Sequence, residues 1–284
     1  MTGMSIDLGH VPIIKADGTE EPFDLEKLIT SLKRSGASDE AITEVTREIS
    51  TAMRPGMTTG DIYRRVYAVL KRSERQPVAS RYSLKRALLD LGPTGYPFED
   101  YVAQIWSALG WKTQTRLILS GRCTTHEVDM VAEKGGRKIA AEVKFHNAPG
   151  MRSDVKTALY VNARWHDINA RLEASGEKRF DEWLLITNTH FTSQAEEYGG
   201  CAGLSLISWN YPHHGNLQDL IEETRVHPLT CLTTISRYDK NQLLKDGVVL
   251  CRTVAEDPGQ LRRIGVPEPK VKKIIAESKY LCTP

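Results

Sequence analysis

Cysteine is sparse in this chain: five in 284 residues, with no two in CxxC spacing. Zinc ribbons need such pairs, and a disulfide framework needs a short, cysteine-dense chain. The composition argues against both, and a reducing, cytoplasmic setting is expected. Long hydrophobic runs are missing as well, since no apolar stretch approaches the roughly 18 residues that span a bilayer. The opening MTGMSIDLGH has no basic region followed by an apolar one, so no secretory leader is expected. Neither sign of charge dominates. A formal net charge of +2 rules out a uniformly basic coat, so any charge that grips nucleic acid must be local. Finally, no GxxxxGK[ST] string occurs, which removes the phosphate-cradling P-loop and leaves nucleotide sensing without an ATP-driven motor.

What remains is 40% hydrophobic and 26% charged, the balance of a globular protein with a real core, and long enough for two or three domains. The turn-rich string Gly92-Pro93-Thr94-Gly95-Tyr96-Pro97 is the clearest boundary. A second change of character comes near Leu229, so the expected domains are 1–92, 93–228 and 229–284.

In the first, His10 to Ile14 reads as a strand, Lys15 to Gly18 as a turn and Glu21-Pro22-Phe23 as a return strand. Asp24 is placed to cap a helix carrying Leu25, Leu28, Ile29 and Leu32. Ser38 is placed to cap a second (Ile42, Val45, Ile49), and Thr58 or Thr59 a third (Ile62, Val66, Val69, Leu70). Pro77 suits the first turn of a fourth that includes Tyr82, Leu84 and Leu88. The expectation is a hairpin and four helices. Lys15 and Lys27 can neutralise phosphates as point charges, and Asp24 can accept from ribose or base. The strings IIKADGTEEPFDLEKL, MTTGDIYRRV and VASRYSLKRAL, in that order, resemble the ATP-cone, an allosteric nucleotide-binding domain. The resemblance implies ATP or dATP as effector, with Lys15 on phosphate and Glu21, Asp24 and Lys27 lining the site. It further implies closure by Thr59 and Tyr63, with Arg81 and Lys85 contributing from the fourth helix. Ala16 stands where the family often has a second basic residue.

In the second, a helix carrying Phe98, Val102, Ile105 and Leu109 should stop at Gly110, followed by a strand from Lys112 to Leu119. The string THEVDMVAEKGGRKIAAEVKFH, Thr125 to His146, then alternates on both sides of Gly135-Gly136, the mark of a β-hairpin. Strand alternation puts Val128, Met130 and Ala132 on one face with Ile139, Ala141, Val143 and Phe145, and Asp129 on the other with Glu142, Lys144 and His146. Two carboxylates packed together repel unless a cation joins them. Oxygen donors suit a hard ion, Mg2+ or Mn2+, and a nearby lysine can orient water or stabilise charge growing on phosphorus. This is the chemistry of phosphodiester hydrolysis. A long helix from Ser153 to about Glu173 follows, with Val155, Leu159 and Trp165 expected toward the sheet. Buried strands WLLIT and LSLISW, separated by a helix around Gln194 to Tyr198, complete a sheet with helices on both faces.

These residues resemble the PD-(D/E)XK nuclease superfamily, and within it the Mrr-like restriction endonucleases. The resemblance implies Asp129 and Glu142 as metal ligands, Lys144 as catalytic lysine and Glu99 as an extra acidic residue on the first helix. Lys156 and Tyr160 resemble the family's Gln-x-x-x-Tyr element with lysine in place of glutamine. The superfamily proline is absent, since His126-Glu127-Val128 precedes Asp129. Glu127, His126 and His146 adjoin these positions and are candidates to support the site or position substrate. His213-His214 reads as loop surface.

The tail, with helical segments around Lys240 to Leu244, Val254 to Arg263 and Pro269 to Ser278, reads as all-helical. LRRIGV followed by VKKII resembles a helix-hairpin-helix. This resemblance implies DNA-phosphate contacts from Arg262, Arg263, Lys270, Lys272 and Lys273. The fold class expected is α/β: a mostly helical ATP-cone, a central α/β/α restriction-endonuclease-like domain with a mixed sheet, and a helical tail. The function expected is a nucleotide-regulated, Mg2+-dependent DNA endonuclease acting as a homo-oligomer, dimer or tetramer. A catalytically silent nucleotide-responsive DNA-binding regulator and a junction resolvase are the alternatives.

Overall fold

A computed structural model describes residues 10–73 and 76–282. The segment 1–9, on which the expectation about a leader rests, lies outside the described residues. The chain divides into two units: Met1–Arg86 with Cys231–Thr233, and Ala87–Thr230 with Thr234–Pro284. No helix among the described residues is long and apolar enough to cross a membrane.

In the first unit the expected hairpin forms, β1 (Pro12–Ile14) pairing antiparallel with β2 (Glu20–Pro22). Its other edge carries a parallel strand, β3 (Met57–Thr58), so the hairpin is in fact a three-stranded sheet. Two residues between helices have no periodicity to read, which is why the sequence does not announce this strand. Helix α1 (Leu25–Arg34) begins at Asp24, whose carboxylate accepts from the Lys27 amide at 3.0 Å. Helix α2 (Asp39–Ala52) begins at Ser38, which accepts from the Ala41 amide at 3.2 Å. Of the two threonines, Thr58 closes the start of α3 (Thr59–Ser73): its hydroxyl accepts from the Asp61 amide, and Asp61 Oδ2 accepts from the Thr58 amide. The expected fourth helix is two, α4 (Gln76–Tyr82) and α5 (Leu84–Leu89). They part at Ser83, whose hydroxyl donates to the Ser80 carbonyl at 2.8 Å and competes with the helical ladder. Leu28, Leu32, Val45, Ile49, Val66 and Leu70, the apolar stripes of α1 to α3, meet in one core.

The second unit opens with α6 (Tyr96–Ala108), stopped by Gly110 at φ 85, a left-handed turn that glycine adopts without strain. Then come β4 (Lys112–Ser120), β5 (Thr125–Lys134), β6 (Arg137–Lys144) and β7 (Arg152–Ser153), followed by α7 (Val155–Ala174), β8 (Glu182–Thr187) and β9 (His190–Phe191). Helix α8 (Ser193–Ala202), β10 (Ser205–Ile207) and α9 (Leu217–Thr224) complete it. The main sheet has the order β10-β8-β6-β5-β4, parallel from β10 to β6 and antiparallel from β6 to β4. A separate pair, β7 with β9, was not legible in two-residue strands.

Helix α7 presents Ala158, Val161, Ile168 and Leu172 to a core with Val131, Ala140, Trp183 and Leu185. Leu159 was expected on that face but is 46% exposed. The small Ala158 lies against the sheet instead and turns the helix by one position. Strict alternation on β5 also fails. Val128 and Val131 share one cluster although they are three residues apart. The cause is local: the β4–β5 ladder skips Arg116, which sits opposite Asp129 with φ 55.

The tail consists of α10 (Arg237–Lys245), α11 (Cys251–Glu256), α12 (Gly259–Arg263) and α13 (Glu268–Cys282). Glu277 is buried on α13 and accepts from the amide and hydroxyl of Thr234 at 2.9 and 2.5 Å, while Ser278 donates to the Cys251 carbonyl at 2.6 Å.

Candidate active site

The hairpin creates its site by splaying. The β5–β6 ladder ends at Met130–Ala141. On the outer sides, β5 stays paired with β4 down to Thr125, and β6 with β8 up to Lys144. Beyond Met130–Ala141 the two middle strands therefore diverge. Asp129 fills the opening: its Oδ2 accepts from the Val143 amide at 2.7 Å, replacing the lost ladder bond with a carboxylate.

Glu142, next to Ala141 on β6, faces the same opening. Burial and then the charge of Asp129 push its carboxyl up to about 7. Burial also holds Asp129 above the ordinary carboxylate range, while the Val143 amide and then Arg164 pull the other way. Glu99, on α6 and 9% exposed, is pushed up to about 7 by burial and then by Asp129. Its Oε1 lies so close to Gly95 that a Cβ there would come within 3.2 Å of it. The expected trio of acids is thus brought together with Asp129 in the middle. Lys144 is exposed at the end of β6, and its charge is felt by both Asp129 and Glu142.

Two arginines that sequence reasoning missed hold this arrangement. Arg164, 6% exposed on α7, donates to Glu142 Oε2 at 2.5 Å. Its signal was present: a charged residue within the apolar stripe Val161 to Ile168, in phase with Lys156 and Tyr160. Arg116 donates to Glu99 Oε2 at 3.5 Å and pairs with Asp100 at 2.8 Å. Its left-handed backbone turns it out of the ladder, and no sequence rule announces such a conformation in arginine. Asn188 was missed as well. Fully buried after β8, it accepts from the His146 amide at 2.8 Å and donates to the His146 carbonyl at 2.7 Å, so its side chain continues the β6–β8 pairing past Lys144.

The remaining candidates spread out. Glu127 is exposed and near enough to raise Asp129. Lys156 and Tyr160 are exposed on α7. The His146 ring bonds to Ser153 Oγ at 3.1 Å, and its charged form is disfavoured by burial and then by Lys144. His126 is not part of the site, because it bonds Asp167 at 2.7 Å and ties the β4–β5 turn to α7. His213 and His214 are exposed and bond to each other.

No three His, Cys, Asp or Glu side chains form a ready-made metal cage among the described residues. The donor set present is a pair of half-buried, mutually repelling carboxylates, one bonded to the Val143 amide and the other to Arg164. It fits a hard divalent cation that keeps several of its own waters and is bound by one or two carboxylates.

In the first unit, Lys15 pairs with Glu21 at 2.9 Å, and Lys85 is pushed down to about 8 by burial and then by Lys15, which puts both lysines in one region. Tyr63 stacks between Tyr82 (5.7 Å) and Tyr67 (5.9 Å). Asp24 spends one oxygen as a helix cap and stands 3.6 Å from the exposed Lys27. Thr59 opens α3 and Arg81 lies on α4 beside Tyr82. In the tail, Gly265 (φ 80) makes the turn between α12 and α13. Arg262 is spent on Glu268 at 2.9 and 3.0 Å, and Lys270 on Asp239 at 2.9 Å. Arg263 bonds Gln260, and Lys272 and Lys273 are exposed on α13.

Residues 11–90 match the ATP cone domain, 93–210 the restriction endonuclease family (Mrr catalytic domain), and 227–282 the AF1548-like C-terminal family. An uncharacterized protein of Archaeoglobus fulgidus is 35% identical over 182 residues, which is 63% of this chain and 98% of that protein. The crystal structure of AF1548, a protein of unknown function, superposes with a TM-score of 0.55 at 34% identity, covering 66% of this chain and 98% of that one. The MspJI restriction endonuclease in complex with a 27-mer oligonucleotide is more distant, with a TM-score of 0.34 at 16% identity over 60% of this chain and 36% of that one. The chain therefore belongs to the AF1548-like family, with an ATP cone domain ahead of its restriction-endonuclease-like domain.

Proposed function

We propose that the protein is a DNA endonuclease that depends on Mg2+ or Mn2+ and is regulated by ATP or dATP. The observation that carries this reading is the pair Asp129 and Glu142 at the splayed end of β5 and β6, within the field of Lys144. Asp129 and Glu142 would hold the cation, which when bound supplies a more acidic water and neutralises charge on the phosphodiester. Asp129 Oδ2 is engaged by the Val143 amide and Glu142 Oε2 by Arg164, which leaves one oxygen of each for a further partner. Lys144 brings a positive charge to the end of the sheet, where it stabilises the charge that grows on phosphorus. Glu99, held through Oε2 by Arg116, orients the attacking water.

The ATP cone supplies the regulation. Nucleotide bound around Lys15, Glu21, Asp24, Lys27, Thr59, Tyr63, Arg81 and Lys85 shifts the oligomeric state and with it the cleavage rate, which requires different affinities for the two states. Arg263, Lys272 and Lys273 in the tail contact DNA phosphates, joined by Arg262 and Lys270 when they exchange their carboxylate partners. The test is cleavage of supercoiled plasmid with Mg2+ or Mn2+, titrated with ATP and dATP beside a measurement of molecular mass. Lys144→Ala should abolish cutting, and equal rates for variant and wild type would remove the assigned site. Arg164 already compensates one of the two carboxylates, which favours a second reading, a metal-independent DNA-binding regulator. DNA binding insensitive to chelator, with no cleavage in any divalent metal, supports that reading.

A further inference from the structure

Two exposed tyrosines flank the acidic site, and each is built into it in the same way. Tyr96, 58% exposed at the start of α6, carries the Arg116 guanidinium 5.6 Å from its ring centroid. Arg116 reaches Glu99 Oε2 at 3.5 Å. Tyr160, 60% exposed on α7, carries the Arg164 guanidinium 5.1 Å from its ring centroid, and Arg164 reaches Glu142 Oε2 at 2.5 Å. Each ring is thus one arginine away from a carboxylate of the site, one from the first helix of the unit and one from the second.

Tyrosine rings that only cover apolar surface do not need this construction. Arg137 over Trp111 is also ion-paired, to Glu182 at 3.0 Å, and Lys138 over Phe180 stands 3.9 Å from Glu133, but both stacks lie at the turn end of the β5–β6 hairpin, remote from Asp129. The tyrosine stacks differ because the carboxylate that anchors each arginine belongs to the acidic site. That anchor fixes the ring's orientation while most of the ring remains open to solvent. A rigid aromatic face backed by a cation is the platform on which nucleobases stack, and stacking is available only to bases freed from a duplex.

We propose that Tyr96 and Tyr160 stack on unpaired nucleobases on either side of the scissile phosphate, so that the substrate of this site is DNA with single-stranded character. This rests on the nuclease reading for the position of the phosphate, but not for the stacking itself. Lys156, one turn before Tyr160 and exposed, is positioned for the adjoining backbone phosphate.

The experiment uses the full chain in EDTA, so that nothing is cut, with oligonucleotides carrying 2-aminopurine, whose fluorescence falls when it stacks on an aromatic ring. Single-stranded oligonucleotide should bind tighter than duplex of the same sequence and lose fluorescence. Tyr96→Ala and Tyr160→Ala should each weaken single-strand binding about tenfold or more, the range for loss of one stacked base, and should leave duplex binding within twofold. Tyr96→Phe and Tyr160→Phe should bind like wild type, since the face and not the hydroxyl is used. Alanine variants that bind single strands within twofold of wild type, or lose single-strand and duplex binding equally, overturn the proposal. Wild type that cuts no DNA with Mg2+ or Mn2+ sinks the nuclease reading alone, because binding and quenching here need no metal.

Discussion

The acid cluster makes the stability of the second unit fall as pH rises, and Glu142→Gln isolates one source of that fall. Glu142 sits at about 7 in the folded protein against an ordinary 4.5. Between these values the folded state keeps a proton that the unfolded chain releases. Stability from this group is therefore full below pH 4.5 and declines as pH rises through 7. At about 1.4 kcal/mol per tenfold change, the loss amounts to about 3 kcal/mol by pH 8. Glutamine fills the same volume, still accepts from Arg164 and does not titrate. A unit of 150–250 residues changes its midpoint by about 2–4 °C per kcal/mol, so wild type should lose about 6–12 °C more than Glu142→Gln between pH 4.5 and 8. All five tryptophans (106, 111, 165, 183 and 209) lie in the second unit, so tryptophan emission follows its unfolding without signal from the first. Melting both proteins in EDTA across this range is the assay. Adding Mg2+ or Mn2+ at pH 8 should raise the wild-type midpoint and leave Glu142→Gln nearly unmoved. Parallel pH profiles for the two proteins would refute the reasoning, because they would mean that the Glu142 carboxyl is not held out of its ordinary range by burial beside Asp129.

Arg116→Gly removes both a left-handed conformation that costs a non-glycine residue about 1 kcal/mol and the cation on Glu99. It should change the urea midpoint little while lowering the cleavage rate at least tenfold. Asp24→Ala should destabilise the first unit by about 1 kcal/mol through loss of the α1 cap, whereas Asp24→Ser keeps the cap; comparing nucleotide binding by the two in calorimetry separates capping from contact. Asp167 is held down to about 2, chiefly by its bond to His126, so its contribution is present above the ordinary 3.8 and is lost as pH falls through 2. Asp167→Asn should therefore unfold at a higher pH on acid titration followed by circular dichroism.

Which parts of the molecule are legible in sequence follows from the range of the interactions. Helices α1 to α3 were readable because caps and apolar stripes are written within four residues, as Asp24 with Lys27 and Ser38 with Ala41 show. The hairpin was readable from Gly135-Gly136 and two alternating runs. Strand β3, the pair β7–β9 and the break at Ser83 are short features that depend on a distant partner or on one hydroxyl, and they leave no periodic trace. Leu159 was misplaced because a long helix with apolar residues on several sides has more than one plausible buried face, and only packing selects Ala158.

By itself, the sequence determined which acids and which lysine stand at alternating positions on two adjacent strands, since strand period and turn chemistry are local. That reasoning set Asp129, Glu142 and Lys144 on one edge of a hairpin. Only the tertiary structure decided what surrounds them: the divergence of β5 from β6, Arg164 arriving from α7, Arg116 bent out of β4 and Asn188 extending β8. Each partner lies at least 17 residues along the chain from the group it holds. Contacts at that distance are chosen by how strands and helices pack, and a buried charge takes whichever opposite charge packing brings within reach.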